Sequence, residues 1–141
     1  MAEDNQNVAE IEKTNEAVTR AFTAAWSNRS CDELLPLLAE NITYVLYEGG
    51  PTYVGPAAVE GAVRPFLAKF ERVEFEILRL NVIGPLVIHE RTEHFYAPGG
   101  ELDTRFHVVG MLLIRDGKIE DWRDYAIPGV KQIVGPLIRP T

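Results

Sequence analysis

Arg91 and Glu93 stand two residues apart in Val87-Ile88-His89-Glu90-Arg91-Thr92-Glu93-His94-Phe95, and Asp124 stands two after Trp122 in Trp122-Arg123-Asp124-Tyr125. Both stretches alternate apolar and polar residues, the pattern of a strand with one buried face. Residues two apart on a strand point the same way, about 7 Å from each other. Arg91 and Glu93 therefore share one face, and Asp124 shares a face with Trp122. A guanidinium and two carboxylates aimed at an apolar interior are costly to desolvate unless they pair. Paired, they can do acid–base chemistry, which at neutral pH needs two carboxyls whose surroundings push their pKa values apart. Burial raises a carboxyl pKa and contact with a guanidinium lowers it. An Arg91 shared unequally between Asp124 and Glu93 supplies both effects. The same spacing also suits an ion triad with a purely structural role.

Other residues have two readings as well. His89 falls on the Arg91 and Glu93 face, either as a third proton-transfer group or as a hydrogen-bonded core histidine. His94 and His107 fall on the opposite faces of their strands, toward solvent or a second subunit. Trp122 is a pocket wall or plain core. Phe66, Phe70, Phe106, Val108 and Leu112 are core residues, some of them lining a cavity.

The elements that must position these groups follow from periodicity. Ile11, Val18, Phe22, Ala25 and Trp26 form a helical stripe over residues 8–27. Ser30 and Glu33 have the spacing of a capping box, opening a short helix through Leu34, Leu35, Leu37 and Leu38. Residues 42–47 are β-branched and aromatic, hence a strand, which Glu48-Gly49-Gly50-Pro51 ends. Pro56 suits the first turn of a third helix, whose buried face is Val59, Val63, Phe66, Leu67 and Phe70 and which Pro65 should kink. Strands follow over 73–82, 86–96, 102–115 and 118–125, joined by short turns as antiparallel neighbours require. Residues 126–141, with their glycines and prolines, form a tail that wraps the surface or covers an opening. Three helices and one long, mainly antiparallel sheet make an α+β plan. A curved sheet packed on helices encloses its concave face as a pocket.

A chain of 141 residues, 46% hydrophobic and 25% charged, fits one domain over residues 1–141 with a real core. Its net charge of -7 and pI near 5.0 disfavour nucleic acid and anionic membranes as partners. The single cysteine, Cys31, excludes an internal disulfide and reads as a small buried residue near a helix start. Three scattered histidines without a carboxylate cluster give no metal site. Residues 1–7 are acidic and amide-rich, a disordered tail without an apolar signal region, and no later run spans a bilayer. A cytoplasmic protein is expected.

The order of elements resembles the cone-shaped α+β fold of nuclear transport factor 2-like proteins, which include ketosteroid isomerases and SnoaL-type polyketide cyclases. Within that fold the chain is similar to the limonene-1,2-epoxide hydrolase family over residues 22–125. The likeness is sharpest in Glu90-Arg91-Thr92-Glu93 and in Gly117-Lys118-Ile119-Glu120-Asp121-Trp122-Arg123-Asp124-Tyr125. The resemblance implies opening of an epoxide to a vicinal diol by direct attack of water, without metal or organic cofactor, on a hydrophobic small molecule. It gives Asp124 the place of the general base, Arg91 that of the bridging residue and Glu93 that of the general acid. Tyr44 takes the place of a tyrosine that helps position the water. Two positions depart from the family pattern. Glu93 replaces an aspartate, and the water-positioning asparagine falls on Leu46, or on Tyr47 if the extra loop residue lies earlier. The alternatives are a cyclase or isomerase with Glu93 or His89 as base, and a non-catalytic small-molecule-binding module. Folds of this kind pair through the convex sheet face, so a homodimer through Arg105, His107, Arg123 and Tyr125 is expected.

Overall fold

The computed structural model describes residues 2–47 and 49–126, with side chains from residue 7 onward. The expected tail beyond Ala126 lies outside these residues. The chain begins with helix α1 (Ala2–Ser27), followed by one helical turn, α2 (Cys31–Leu34), and a 3-10 turn (Leu35–Leu37). Strand β1 (Leu38–Val45) and the short β2 (Thr52–Val54) precede helix α3 (Pro56–Leu67). Four long strands complete the fold: β3 (Arg72–Ile83), β4 (Leu86–Tyr96), β5 (Leu102–Arg115) and β6 (Lys118–Ala126).

Several boundaries differ from the sequence expectation. Helix α1 starts at Ala2 and takes in residues expected as a disordered tail, because no glycine or proline in 2–7 interrupts it. Ile11, placed in the buried stripe, is 43% exposed, since the packed face of α1 begins nearer Asn15. Ser30 caps α2 by accepting from the Glu33 N–H at 3.1 Å. The reciprocal half of the box is missing: the Glu33 carboxylate binds Asn28 at 3.1 Å, while the Ser30 N–H donates to the Ala25 carbonyl at 2.9 Å. Leu38, assigned to the helix, opens β1 instead. Helix α3 runs through Pro65 to Leu67, and Gly55 before it takes φ +87°, a conformation glycine adopts without strain.

The sheet order is β2-β1-β6-β5-β4-β3, with every neighbouring pair antiparallel except β1 and β6, which run parallel. The β5–β6 hairpin turns at Asp116-Gly117, both at positive φ, the two-residue turn that matches strand twist. This is the α+β plan with a mixed sheet. Helix α1 is fastened to the sheet at its middle and at its C-terminal end. Asn15 donates to the Gly84 carbonyl at 2.8 Å and Glu12 accepts from the Gly84 N–H at 2.9 Å. At the far end the Ser27 hydroxyl accepts from the Phe75 N–H at 3.0 Å. So held, α1 presses Phe22 and Trp26 onto Trp122, with ring centroids 4.6 and 5.9 Å apart. The core between helices and sheet joins these rings to Ile42, Tyr44, Val59, Val63, Phe70, Phe95 and Leu112.

Candidate active site

Strands β4, β5 and β6 bring the charged groups together through register. His89 of β4 pairs with Gly110 of β5, and Gly110 pairs with Asp124 of β6. Gly110 leaves open the row between His89 and Asp124. Arg91, whose own partner is Val108, uses that gap to reach Asp124. A Cβ on Gly110 would collide with Nη1 of Arg91 and would lie 2.6 Å from Cε1 and 2.8 Å from Nε2 of His89. The missing side chain is what lets one guanidinium bridge two strands. Sequence reasoning overlooked Gly110, although a glycine inside a strand is itself a sign of close approach.

The guanidinium is fully enclosed and each nitrogen has a partner. Nε and Nη2 donate to Oε2 of Glu93 at 2.7 and 2.6 Å. Nη2 also contacts Oδ2 of Asp124 at 2.9 Å, and Nη1 lies 2.7 Å from Nε2 of His89. The ring of Phe75 sits 5.2 Å from Cζ, adding a cation–π contact. Asp124 Oδ2 also accepts from the Trp122 indole N–H at 3.1 Å, while its Oδ1 is buried without a hydrogen-bond partner among the described residues. The Glu93 and Asp124 side chains keep 10% and 13% exposure, so neither acid is sealed from solvent.

Both carboxyls hold their protons more tightly than usual. Burial pushes Glu93 up to about 7, against the pull of Arg91, and the nearby Asp124 charge adds to the rise. Burial also raises Asp124, with Arg91 and the Trp122 N–H opposing it. Each acid is thus pulled toward its neutral form by burial and toward its charged form by the guanidinium. Burial, followed by the Arg91 charge, drops His89 to about 3. Burial and the charge of Asp124 raise the Tyr44 phenol, which stays protonated.

The remaining expected residues fall around this centre. Tyr44 pairs with Trp122 across the parallel β1–β6 contact, and their rings stack at 3.6 Å. Leu46 lies just past the end of β1 and is 36% exposed; alternation from Tyr44 puts it, rather than Tyr47, on the inner side near the level of Asp124. Phe106 and Val108 oppose Glu93 and Arg91 across β4–β5. Phe66 and Phe70 lie farther off, with Phe66 edge-on to Phe70 and Phe95 and Phe70 tilted against Phe95. Trp122 is fully buried and is both core and hydrogen-bond donor to the site. His107 faces outward, 2.6 Å from Glu90. Among the described residues no cluster of three or more His, Cys, Asp or Glu side chains is placed to hold a metal ion.

With the geometry in place, comparison with known proteins is decisive for the family. Residues 13–130 match the limonene-1,2-epoxide hydrolase catalytic domain. The chain belongs to the limonene-1,2-epoxide hydrolase family. A solved relative of this family, an M. tuberculosis LEH-like epoxide hydrolase, is 28% identical; the match covers 86% of this chain and 85% of that one at a TM-score of 0.66. Two further solved structures share the fold alone. A proposed ketosteroid isomerase from Kribbella flavida is 20% identical over 92% of this chain and 91% of its own, at a TM-score of 0.68. A proposed SnoaL-like polyketide cyclase from Jannaschia is 13% identical over 82% and 87%, at a TM-score of 0.69. No curated relative is matched. The nuclear transport factor 2-like architecture expected from the order of elements is therefore the fold of this limonene-1,2-epoxide hydrolase family member.

Proposed function

We propose that this chain is a cofactor-independent epoxide hydrolase that opens a hydrophobic small-molecule epoxide to a vicinal diol, acting in the cytoplasm as a homodimer. One observation carries the reading: a single nitrogen of Arg91 is shared between Glu93 Oε2 at 2.6 Å and Asp124 Oδ2 at 2.9 Å. Two acids on one guanidinium, one of them raised to about 7, suit a reaction that removes one proton and delivers another.

The steps balance as follows. Asp124 takes a proton from water as the water oxygen bonds to an epoxide carbon. The carbon–oxygen bond of the ring breaks, and Glu93 donates its proton to the leaving oxygen. Arg91 stays charged throughout and hydrogen-bonds both acids. A proton then returns from Asp124 to Glu93 before the next turnover. Tyr44, neutral and stacked on Trp122, contributes to placing the water. The aromatic rings of Phe22, Phe75 and Trp122 beside the charged groups favour an apolar substrate.

Leu46 favours a second reading, because it carries no carboxamide to hold the water. A cyclase or isomerase on this fold would use Glu93 as base beside a carbonyl. His89 suits that role poorly, since its Nε2 is already committed to Arg91. Incubation with cyclic and linear epoxides in oxygen-18 water separates the readings. Direct attack puts label into the diol in the first turnover. A first turnover that yields unlabelled diol, or no opening of any epoxide while protons exchange beside a carbonyl, overturns the hydrolase reading.

A further inference from the structure

His89 is a fully buried titratable group that the steps above leave unused. Arg91 holds its protons at any working pH, so Nη1 is the donor in the 2.7 Å contact and Nε2 of His89 must be the acceptor. The ring is therefore neutral and carries its proton on Nδ1, which has no hydrogen-bond partner among the described residues. The imidazole is wedged between the Phe22 ring, edge-on at 6.3 Å, and the backbone of Gly110. Besides Arg91, the charged groups of the site are Glu93 on the same strand and Asp124 across Gly110; Phe22 from α1 brings no charge.

The contact matters because of what Nη1 would do without it. Nη2 already binds Oδ2 of Asp124, and Oδ1 of the same carboxylate has no partner. A guanidinium released at Nη1 can close on both oxygens, the favoured fork geometry for this pair. We infer that His89 is a positioning residue: by accepting from Nη1 of Arg91 it keeps the guanidinium off Asp124 Oδ1, leaving that oxygen free to receive a proton from water. The role rests on the hydrolase reading, whereas the geometric effect on Asp124 can be measured without it.

Three variants separate this role from simple packing. In His89→Gln the carboxamide oxygen reaches the place of Nε2. In His89→Asn it ends nearer Nδ1, and His89→Leu fills the space with no acceptor. Carbon-13 NMR titration of the Asp124 carboxyl is the first readout. Closure of the fork adds a hydrogen bond to the ionised form, so the midpoint should fall by about one unit or more in the Leu and Asn variants and stay near wild type in Gln. On an accepted epoxide, kcat should fall about tenfold or more in Leu and Asn with KM unchanged, and Gln should restore it. Nitrogen-15 spectra of the wild-type imidazole should show the proton on Nδ1 with no further protonation down to about pH 5. A proton on Nε2, or an Asp124 midpoint unmoved in Leu and Asn, overturns the inference. If Leu fails to fold, the wild-type spectrum and the Gln–Asn pair decide. A shifted Asp124 midpoint in proteins that open no epoxide supports the positioning effect while rejecting the hydrolase reading.

Discussion

At the scale of single residues, the proposed hydrolysis needs a proton on Glu93 and none on Asp124. Glu93 is raised to about 7, so the acid is lost as pH rises through that value; Asp124 is raised from its usual range, so the base is lost as pH falls through its own. Hydrolysis should therefore follow a bell with its alkaline limb near pH 7, measurable as kcat against pH. A rate that keeps climbing through pH 8 would remove Glu93 from the role of acid. Asp124→Asn keeps the shape and removes the base. It should cost about two to four orders of magnitude in kcat with an unchanged circular dichroism spectrum, and near wild-type turnover would sink the assignment. Glu93→Gln should be close to inactive for the same reason, whereas Glu93→Asp keeps a carboxyl and should retain some rate. Equal rates in those two variants would mean that no proton comes from this position. The three charged residues were legible in the sequence because alternation along a strand fixes facing without knowledge of neighbours. Their convergence was legible only through the family resemblance, because spacing alone does not fix the register of β4 and β6 against the intervening β5.

At the scale of elements, the long strands were legible from periodicity and the turns between them from Asp-Gly and Gly-Pro sequences. The short or terminal pieces were not. β2 has three residues, too few to show a period, and α1 gains its first turns without an apolar stripe to announce them. The contribution of β5 to the site was equally hidden, since it consists of an absence: Gly110 has no side chain where Arg91 crosses. Gly110→Ala places a methyl against Arg91 and His89 in a packed interior, where overfilling costs about 1–3 kcal/mol. The guanidinium must give way for the methyl to fit. A lowered melting temperature together with a loss of kcat larger than that of a β5 surface variant is expected. An alanine variant with wild-type melting and turnover would show that the gap is not needed.

At the scale of the whole molecule, the convex face of the sheet carries ion pairs, with Glu90 bound to Arg79 and to His107 at 2.6 Å each, and Arg123 to Asp121 at 2.8 Å. A face so charged suits a polar interface in which each subunit offers the same patch. Light scattering should give twice 15.8 kDa, and a mass of 15.8 kDa across a concentration series would reject the homodimer. The parallel pairing of β1 with β6 has a different consequence, in time. Strands β3 to β6 are hairpin neighbours, whose local contacts form fast, but β1 must wait for residues 118–126 to be synthesised before its inner edge is covered. Tyr44 and Asp124 belong to these two strands. They can meet only when the last of the four long strands has left the ribosome, so a half-made chain cannot bring the candidate site together and the cluster is complete only with the finished sheet.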